Sequence, residues 1–512
     1  MRLRLFGVAA VSLIMLAAVV FMVFCGGYSS QMPSTTSPTS SSSTTSSNSS
    51  GSNSPAPPGN GEVVVFGQDA PVCDVISFKV TITAATLTPE NSGSPVSLIS
   101  APVTVDFARL MDFSGILNLS KITAGTYTSL NLTLADPNMM VLDVTKTPPA
   151  ATAVTTTLTS SNVTVPVQPS LQVSASAAAG LLVHFDLFKS VQTDSSGQVT
   201  GAVTPTFNVS PSVPTAENGL GEVQQVAGLV QSVASSSTNA GFTGSFVLQT
   251  VSGQNVTVEI NNATQFDSEN DNATGLSQLT ADTFVEVDAY VDTSGSVVAK
   301  DVGVEEQENA NQHKSAFPGT VISVTRDPSG AATDFLLMVR SEDPDETSLV
   351  PKMSNLIVGV SDSTRFKITA GGLNEDGLTF DPTTLAVGQE VVVHGKAQKN
   401  TNAPFLQSSG VFLRLQTLAG NFAALLPGAS GNAGGFTFKP CGPLFKGQPI
   451  TVLTFTDTAL AGVSGLSALT AQPTLLVKGL LFYQSASATL GGVNITAPGW
   501  VLEATQVHEL NP

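Results

Sequence analysis

The second half of the chain repeats one series of strand-like segments three times. Each segment alternates apolar and polar residues, which places one face of a strand in a core. The first segment of the three copies reads VAGLVQSV, FPGTVISV and LAGNFAAL, and four further segments follow in the same order each time. Such self-similarity is typical of a repeat architecture. The sequence therefore predicts three copies of a small β-domain, at 222–307, 315–415 and 416–512.

A glycine lies inside the first segment of every copy, at Gly228, Gly319 and Gly420. An in-strand glycine marks a bulge or a tight bend, which a small closed barrel needs in order to curl. Five short strands with one such bend predict a five-stranded OB-like β-barrel for each copy. An open sandwich is the alternative.

Strand-like runs separated by turn residues also fill residues 61–213. The first run ends at a predicted turn from Gly67 to Pro71, and a second run then alternates through Phe78, Val80 and Ile82. This pattern predicts an antiparallel β-sandwich of the transthyretin or immunoglobulin type. The whole chain is thus expected to be all-β, with one sandwich followed by three barrels.

Two family resemblances accompany these patterns. The segments GQDAP, PVTVDFARL, LNLSKITAGTYTSLNLTL and LVHFDLFKS resemble a family of exported bacterial domains known as domain of unknown function 4382. The Gly-x-Val start, the Phe-x-Leu pair and the Thr-x-Phe position of the repeats resemble domain of unknown function 5666, which occurs in tandem. The third copy departs from this pattern, since Leu460 stands where Phe is expected. The resemblances imply exported β-domains, and their motifs indicate no catalytic or binding residues.

The charge balance argues against a nucleic-acid partner. The chain carries 38 acidic and 20 basic residues, a net charge of −18. A protein that binds a duplex needs basic side chains to displace counterions. We therefore expect no nucleic acid among the partners.

The N-terminus has the features of an exported, lipid-anchored protein. Arg2 and Arg4 precede an uncharged apolar run that ends directly on Cys25-Gly26-Gly27, which resembles a bacterial lipobox. We predict a signal peptide at 1–24, lipid attachment at Cys25, and a disordered Ser/Thr/Pro tether over 25–60. The residue before Cys25 is Phe24, where a lipobox carries a small residue, so an uncleaved membrane helix is the alternative.

Two further cysteines, Cys73 and Cys441, remain if Cys25 carries a lipid. In an oxidising compartment they could pair and tie the first domain to the last. The alternative is two buried free thiols. The sequence alone leaves both open.

The sequence offers few candidate metal-binding or catalytic residues. The acidic loop DSENDNATG places Asp267, Glu269 and Asp271 at alternating positions, like the first half of a calcium loop. It lacks the glycine and the final glutamate of an EF-hand, so a solvated hairpin loop is the simpler interpretation. We expect no cofactor. The four histidines, His184, His313, His394 and His508, lie outside zinc-ligand spacings. We expect structural roles for His184 and His394, which alternate with valines in predicted strands.

The first domain offers four aspartates that could form a cation site or cap backbone N–H groups. Capping is the expected role, because no tight cluster is visible in the sequence. We also expect Tyr127 to be a packed turn residue with its hydroxyl in water. The four aspartates are Asp69, Asp74, Asp106 and Asp186.

These observations lead to a non-enzymatic, lipid-anchored cell-envelope protein that acts as an interaction or adhesion scaffold. Its expected partners are the membrane, through the lipid, and envelope proteins or glycans. A lipoprotein that binds a carbohydrate or a metal is the alternative, followed by a hydrolase with a dispersed site. The sequence leaves the oligomeric state open.

Overall fold

The computed structural model of the chain is nearly all β, with 65 % of the described residues in strands and 4 % in helices. This confirms the predicted fold class. The structure describes residues 59–509 apart from 71–73, 111–114, 196–197, 213–218, 251–254, 269–274, 282, 305–314, 341–349, 351–352, 369–376, 400–403, 428–432, 446, 462–463, 472–473 and 497. The predicted signal peptide, the lipid attachment at Cys25 and almost all of the tether lie outside the described residues.

The sandwich domain contains thirteen described strands, a four-residue helix and one 3₁₀ turn. The helix is α1 (Leu187–Ser190) and the 3₁₀ turn is Phe107–Arg109. The strands are β1 (Asn60–Ala70), β2 (Val75–Pro89), β3 (Val96–Ser97), β4 (Val103–Asp106), β5 (Gly115–Thr123), β6 (Gly125–Asp143), β7 (Ala150–Val154), β8 (Thr157–Leu158), β9 (Asn162–Val173), β10 (Ala179–Asp186), β11 (Val191–Thr193), β12 (Val199–Val203) and β13 (Phe207–Pro211).

Ten of these strands form one sheet that folds over its own core. The strand order is β3-β2-β6-β9-β13-β10-β1-β5, with β4 paired to β2 and β7 to β6. The two ends of the sheet meet where Asn118 and Ser120 of β5 donate hydrogen bonds to the carbonyl of Leu98, next to β3. Four phenylalanine rings pack against one another at the centre of the core, namely Phe78, Phe107, Phe185 and Phe207.

The predicted turn at Gly67 is wrong, because β1 continues to Ala70. Over this stretch β1 pairs in parallel with β10 as far as the pair Ala70–Asp186. Gly67 serves a packing purpose instead. A Cβ atom there would lie 2.7 Å from a Leu110 methyl and 2.9 Å from Leu117, so a larger residue would make these two side chains shift.

Each repeat forms a six-stranded sheet, which we call barrel 1, barrel 2 and barrel 3. Barrel 1 contains β14 (Gly221–Ala234), β15 (Gly244–Thr250), β16 (Asn255–Ile260), β17 (Gln265–Ser268), β18 (Phe284–Val291) and β19 (Val297–Val304). Barrel 2 contains β20 (Ser315–Arg326), β21 (Ala332–Val339), β22 (Asn355–Gly359), β23 (Arg365–Ile368), β24 (Glu390–Lys399) and β25 (Pro404–Leu413). Barrel 3 contains β26 (Leu415–Leu425), β27 (Gly434–Pro440), β28 (Ile450–Thr454), β29 (Ala459–Ala461), β30 (Leu475–Gln484) and β33 (Gly499–Glu509).

Barrel 3 also carries a separate hairpin, β31 (Ala488–Leu490) and β32 (Val493–Ile495), between β30 and β33. Short 3₁₀ turns complete the described helical structure of the repeats. They are Leu276–Gln278, Pro443–Phe445 and Leu466–Ala471.

Five strands of every repeat close into a ring. In barrel 1 the order is β14-β15-β16-β19-β18, and β18 pairs again with β14. The third strand of the repeat, in chain order, pairs in parallel with its last strand, as β16 does with β19. Barrels 2 and 3 close in the same way, through β22–β25 and β28–β33. The OB-like prediction is therefore confirmed over the open alternative.

The sequence predicted five strands per repeat, and the structure has six. The additional short strand follows the third strand in the chain and pairs with the last strand of the repeat. A threonine lies in the chain between the third strand and this short strand. Thr264, Thr364 and Thr458 each donate a hydrogen bond to a carbonyl of the last strand, at 2.8, 3.0 and 2.8 Å. The acceptors are Ala299, Ser408 and Ala504, and each lies next to a register shift in that strand.

Apolar contacts join the sandwich domain and the barrels. Val64 and Phe66 of β1 belong to the core of barrel 1. Barrels 1 and 2 meet through a cluster that includes Phe284 and Phe412. The cluster that fills barrel 2 continues into barrel 3. No helix in the described part of the chain is long and apolar enough to cross a bilayer.

Candidate functional site

A cavity lies where the sandwich domain meets barrels 2 and 3, and we call it the junction cavity. Its volume is about 100 Å³. Val75, Ile76 and Leu142 line it from the sandwich domain. Barrel 2 contributes residues of β20, β21 and β24, and barrel 3 contributes β26 and the segment 441–445. Three domains of the described chain therefore converge on this one cavity.

An ion pair of barrel 2 forms the polar wall of the junction cavity. Arg340 Nε lies 3.5 Å from Glu390 Oε1, and their side chains are 18 % and 15 % exposed. The Thr320 hydroxyl donates a hydrogen bond to the same carboxylate oxygen. Since the two charges compensate each other, the wall offers hydrogen-bonding groups without a large net charge.

Gln416 connects barrel 3 to this wall. Its Oε1 accepts a hydrogen bond from the backbone N–H of Glu390 at 2.9 Å, and its Nε2 donates to the carbonyl of Gly388 at 2.9 Å. Gln416 is 3 % exposed, so its side-chain amide is buried. A side chain of one barrel thus satisfies the backbone of another, which fixes their relative positions at the cavity.

Arg340, Glu390 and Gln416 were not among the residues predicted from the sequence. A weak signal was present for two of them, because Arg340 follows the apolar run FLLMV and Glu390 precedes a run of three valines. A charge directly beside an apolar run often has a partner in the fold. Gln416 carries no such signal, since its partners are backbone atoms of another repeat.

Cys441 lines the junction cavity and is disulfide-bonded. Its backbone N–H donates to the carbonyl of Ala419 at 2.8 Å. Cys25 and Cys73 both lie outside the described residues. The pairing of Cys73 with Cys441 therefore stays a prediction.

The proposed half of a calcium loop lies mostly outside the described residues. The backbone of Asp267 belongs to β17 and pairs with Gly303, while Glu269 and Asp271 are not described. Within the described part of the chain, no group of three or more His, Cys, Asp or Glu side chains is close enough to share a metal ion. The metal assignment stays a prediction.

Two aspartates of the sandwich domain cap backbone N–H groups, as expected. Asp106 accepts hydrogen bonds from the backbone N–H of Phe78 at 2.8 Å and from the Ser77 hydroxyl at 2.6 Å. Asp186 accepts from the N–H of Lys189 at 2.9 Å at the start of α1. Both carboxylates therefore hold local structure together.

Of the other two aspartates, the structure describes the side chain of Asp74 but not that of Asp69. Asp74 is half-buried, and burial raises the pKa of its carboxyl above the ordinary value. Asp69 belongs to β1, and its side chain is outside the described part.

Tyr127 corrects a sequence-based expectation. Its hydroxyl is not in water, since the side chain is 2 % exposed and donates a hydrogen bond to the carbonyl of Thr123 at 2.6 Å. Burial raises the pKa of this phenol. The sequence could not reveal this bond, because the acceptor is a backbone carbonyl that any residue would supply.

The described histidines lie in strands. His394 is 6 % exposed, and its ring centroid lies 4.5 Å from that of Phe412 at the interface between barrels 1 and 2. Burial lowers the pKa of His184 in β10, and Asp186 acts in the opposite direction. His508 lies in β33, and His313 is outside the described residues.

Comparisons with known proteins identify two segments of the chain. Residues 60–200 match the family model described as Domain of unknown function (DUF4382), and residues 227–303 match that described as Domain of unknown function (DUF5666). No curated protein matches.

Among solved structures, one titled "drosophila Unr CSD456" is 10 % identical, with a TM-score of 0.13. The match covers 56 % of this chain and 97 % of that chain. A score this low supports no inference. The family matches confirm the resemblance to DUF4382 over residues 60–200 of the sandwich domain, and the resemblance to DUF5666 over residues 227–303 of barrel 1.

Proposed function

We propose that the protein is a non-enzymatic scaffold of the cell envelope, anchored to the membrane by a lipid on Cys25, whose surface binds other envelope proteins. The packing of the domains into one body carries the proposal. Barrel 2 shares apolar clusters with the sandwich domain, with barrel 1 and with barrel 3. A fixed arrangement presents several surfaces at constant spacing, so a partner binds without the entropic cost of ordering the domains.

The disulfide of Cys441 supports the extracytoplasmic location in this proposal. Disulfides persist in oxidising compartments and are rare in the cytosol. The Arg-flanked apolar N-terminus, which ends at Cys25, supports the same location from the sequence.

Photo-crosslinking on living cells tests the scaffold function. The probe replaces Phe188 or Leu119, two large side chains of the sandwich domain that are 51 % and 40 % exposed. We expect discrete adducts with envelope proteins that require irradiation. An excess of purified chain without the probe should compete these adducts away. If neither position gives an adduct in irradiated cells, the scaffold proposal fails.

The anchor has a separate test, mass spectrometry of the mature N-terminal peptide from a membrane fraction. We expect a peptide that begins at a diacylated or triacylated Cys25. A peptide that still contains residues 1–24 would instead mean an uncleaved membrane helix.

Ligand binding at the junction cavity is the second candidate, because three domains line one small cavity that has a polar wall. A ligand that binds only the folded state raises the melting temperature by mass action. We expect a saccharide or a divalent cation to do so in a thermal-shift panel. Thr320→Val, which changes the cavity wall, should reduce the shift. Thr325→Val, at an exposed position of the same strand, should retain it. An unchanged melting temperature across broad panels contradicts this candidate.

A further inference from the structure

The outer face of β2, β6 and β9, which are neighbours in the sheet, consists largely of hydroxyl and amide side chains. Alternate residues of these strands, such as Leu87, Leu132 and Val165, belong to the core of the sandwich domain. The residues between them therefore lie on the opposite face of the sheet. We call this surface the hydroxyl face. Its central residues are Thr83, Thr86, Asn131, Thr133, Asn162 and Thr164.

Hydrogen bonds between the strands hold these side chains in one arrangement. Asn131 Oδ1 accepts a hydrogen bond from the Thr164 hydroxyl at 2.8 Å, and Asn131 Nδ2 donates to the Thr88 hydroxyl at 2.9 Å. The Thr133 hydroxyl donates to Asn162 Oδ1 at 3.0 Å. Because a hydroxyl oxygen has two lone pairs and an amide nitrogen has two hydrogens, further donors and acceptors remain for a ligand. Side chains that are already ordered also lose less entropy on binding.

The hydroxyl face carries no charged side chain. The segments 80–89, 125–135 and 162–173, which form the face, contain no Asp, Glu, Lys, Arg or His, although the chain has a net charge of −18. An ionic ligand would lose hydration on this face without gaining a counter-charge. A neutral ligand does not incur that cost. Charge complementarity therefore favours an uncharged ligand.

The composition of the face argues against a protein as the ligand. The central residues of protein interfaces are rich in aromatic, methionine and arginine side chains. The same three segments contain no Trp, Phe, Met or Arg, and their single aromatic residue, Tyr127, is 2 % exposed. The large exposed apolar side chains of the sandwich domain lie elsewhere, with Leu119 on β5 and Phe188 on α1. The face thus suits a neutral ligand that has many hydroxyl groups.

We propose that the hydroxyl face binds a neutral polysaccharide. Sugar hydroxyls both donate and accept hydrogen bonds, as threonine hydroxyls and asparagine amides do. The side chains of the face repeat at about 4.8 Å across the strands and at about 6.8 Å along them. A polysaccharide also presents the same groups at regular intervals, so several weak contacts act together. This proposal goes beyond the scaffold function and does not depend on it.

Affinity electrophoresis of the purified full-length chain tests the proposal. The net charge of −18 moves the chain through a native gel, and a neutral polysaccharide dissolved in the gel retards a protein that binds it. We expect retardation by at least one of hydroxyethyl cellulose, dextran and galactomannan. The retardation should be equal at low and high salt, because no charged groups pair. Alginate, an anionic polysaccharide, should not retard the chain.

Substitutions at one exposed position assign the binding to the face. Thr164→Glu introduces a charge and a longer side chain, and should weaken the affinity about tenfold. Thr164→Ser keeps the hydroxyl and should bind like the wild type. Thr257→Glu, at an exposed threonine of β16 in barrel 1, is the charge-matched control and should also bind like the wild type. If Thr164→Glu does not fold, Thr104→Glu replaces it, since the Thr104 hydroxyl lies 3.0 Å from that of Thr81 on β2.

Three results would overturn the proposal. They are no retardation by any of the three neutral polysaccharides, retardation by alginate alone, and retardation that substitution of the face leaves unchanged. Thr320→Val, in the wall of the junction cavity, separates the two candidate sites. It should leave the retardation unchanged, whereas its loss would place the polysaccharide in the cavity. Crosslinking from Phe188 or Leu119 tests the scaffold function independently of these results.

Discussion

The glycine in the first strand of each barrel is required because a neighbouring backbone occupies the space of its side chain. A Cβ atom on Gly228, Gly319 or Gly420 would lie 2.2, 2.3 or 2.1 Å from a carbonyl oxygen of the second strand. Real Cβ atoms do not approach a backbone oxygen this closely, so any substitution must move a strand. A register shift follows three residues later in every barrel, which bends the strand into the ring.

The first prediction concerns this contact. Gly319→Ala should lower the free energy of unfolding by about 2 kcal/mol or more, because the Met338 carbonyl must be displaced. Gly303→Ala in β19 is the matched control, since its nearest atom would be 3.7 Å away. We expect the control to change stability by no more than about 0.5 kcal/mol. Urea denaturation of both variants provides the measurement, and equal losses would refute the argument.

His184 supplies a pH prediction. Burial lowers the pKa of its imidazole below 6.5, the nearby His508 and Lys189 act in the same direction, and Asp186 opposes them. The unfolded chain therefore takes up a proton at a higher pH than the folded chain does. Stability should fall as the pH drops below about 6.5. His184→Gln should lose less stability than the wild type between about pH 7.5 and 5.

The control for this experiment is Asn208→Gln, which changes the residue paired with His184 across the sheet and adds no titrating group. Its pH dependence should follow the wild type. Denaturation midpoints at several pH values provide the comparison. A His184→Gln variant with an unchanged slope would mean that other groups cause the acid sensitivity.

At the scale of elements, alternation and repetition predicted most of the strands, whereas the sixth strand of each barrel was missed. Residues 265–268 form only a four-residue strand after a short turn, and periodicity over so few residues carries little information. What separates this strand from β16 is the bond from Thr264 to the carbonyl of Ala299, 35 positions away. A contact of that range is a property of the fold, and local sequence patterns do not reveal it.

Ion pairs between barrels were also not predictable, and one supports a test. Arg414 binds the carboxylate of Glu286, which links barrels 2 and 1, and the two side chains are 11 % and 23 % exposed. Arg414→Met and Glu286→Gln should each cost about 1–3 kcal/mol, because each removes one charge of a partly buried ion pair. The double variant should cost less than the sum, with a coupling of about 1 kcal/mol or more.

An exposed pair gives the control for that cycle. Lys300 Nζ lies 2.7 Å from Glu222 Oε1 within barrel 1, and the side chains are 37 % and 39 % exposed. We expect a coupling of only about 0–1 kcal/mol there. Double-mutant cycles by denaturant unfolding measure both. Similar couplings for the two pairs would show that burial is not what makes the inter-barrel pair strong.

At the scale of the whole molecule, the order and class of the domains followed from the sequence, but their mutual packing did not. Phe66 and Phe482 are among the residues that join the domains. In the sequence they look like any other apolar residue of an alternating strand. Which domain they contact depends on how complete folded surfaces fit together. The candidate site shares this origin, because the junction cavity exists only after three domains have met.

This packing predicts cooperative unfolding. Trp500 is the single tryptophan, and its ring contacts Phe445 and Tyr483 in barrel 3. Its Nε1 donates to the carbonyl of Val387 in barrel 2 at 3.2 Å, so its fluorescence reports on that boundary. Thermal unfolding followed by this fluorescence and by far-UV circular dichroism should give midpoints within about 2 °C of each other. Clearly separated transitions would mean that the domains unfold independently.

The apolar cluster shared by barrels 2 and 3 also has a consequence for biogenesis. Phe482 and Val501 belong to the cluster that fills barrel 2, yet they stand 69 and 88 positions after its last strand ends at Leu413. A chain that is synthesised from its N-terminus thus leaves barrel 2 with uncovered apolar surface until barrel 3 follows. Such surface promotes aggregation in partly folded chains. In the export that we propose, the barrels should therefore need a holding chaperone, or mature as a pair after the last strand has emerged.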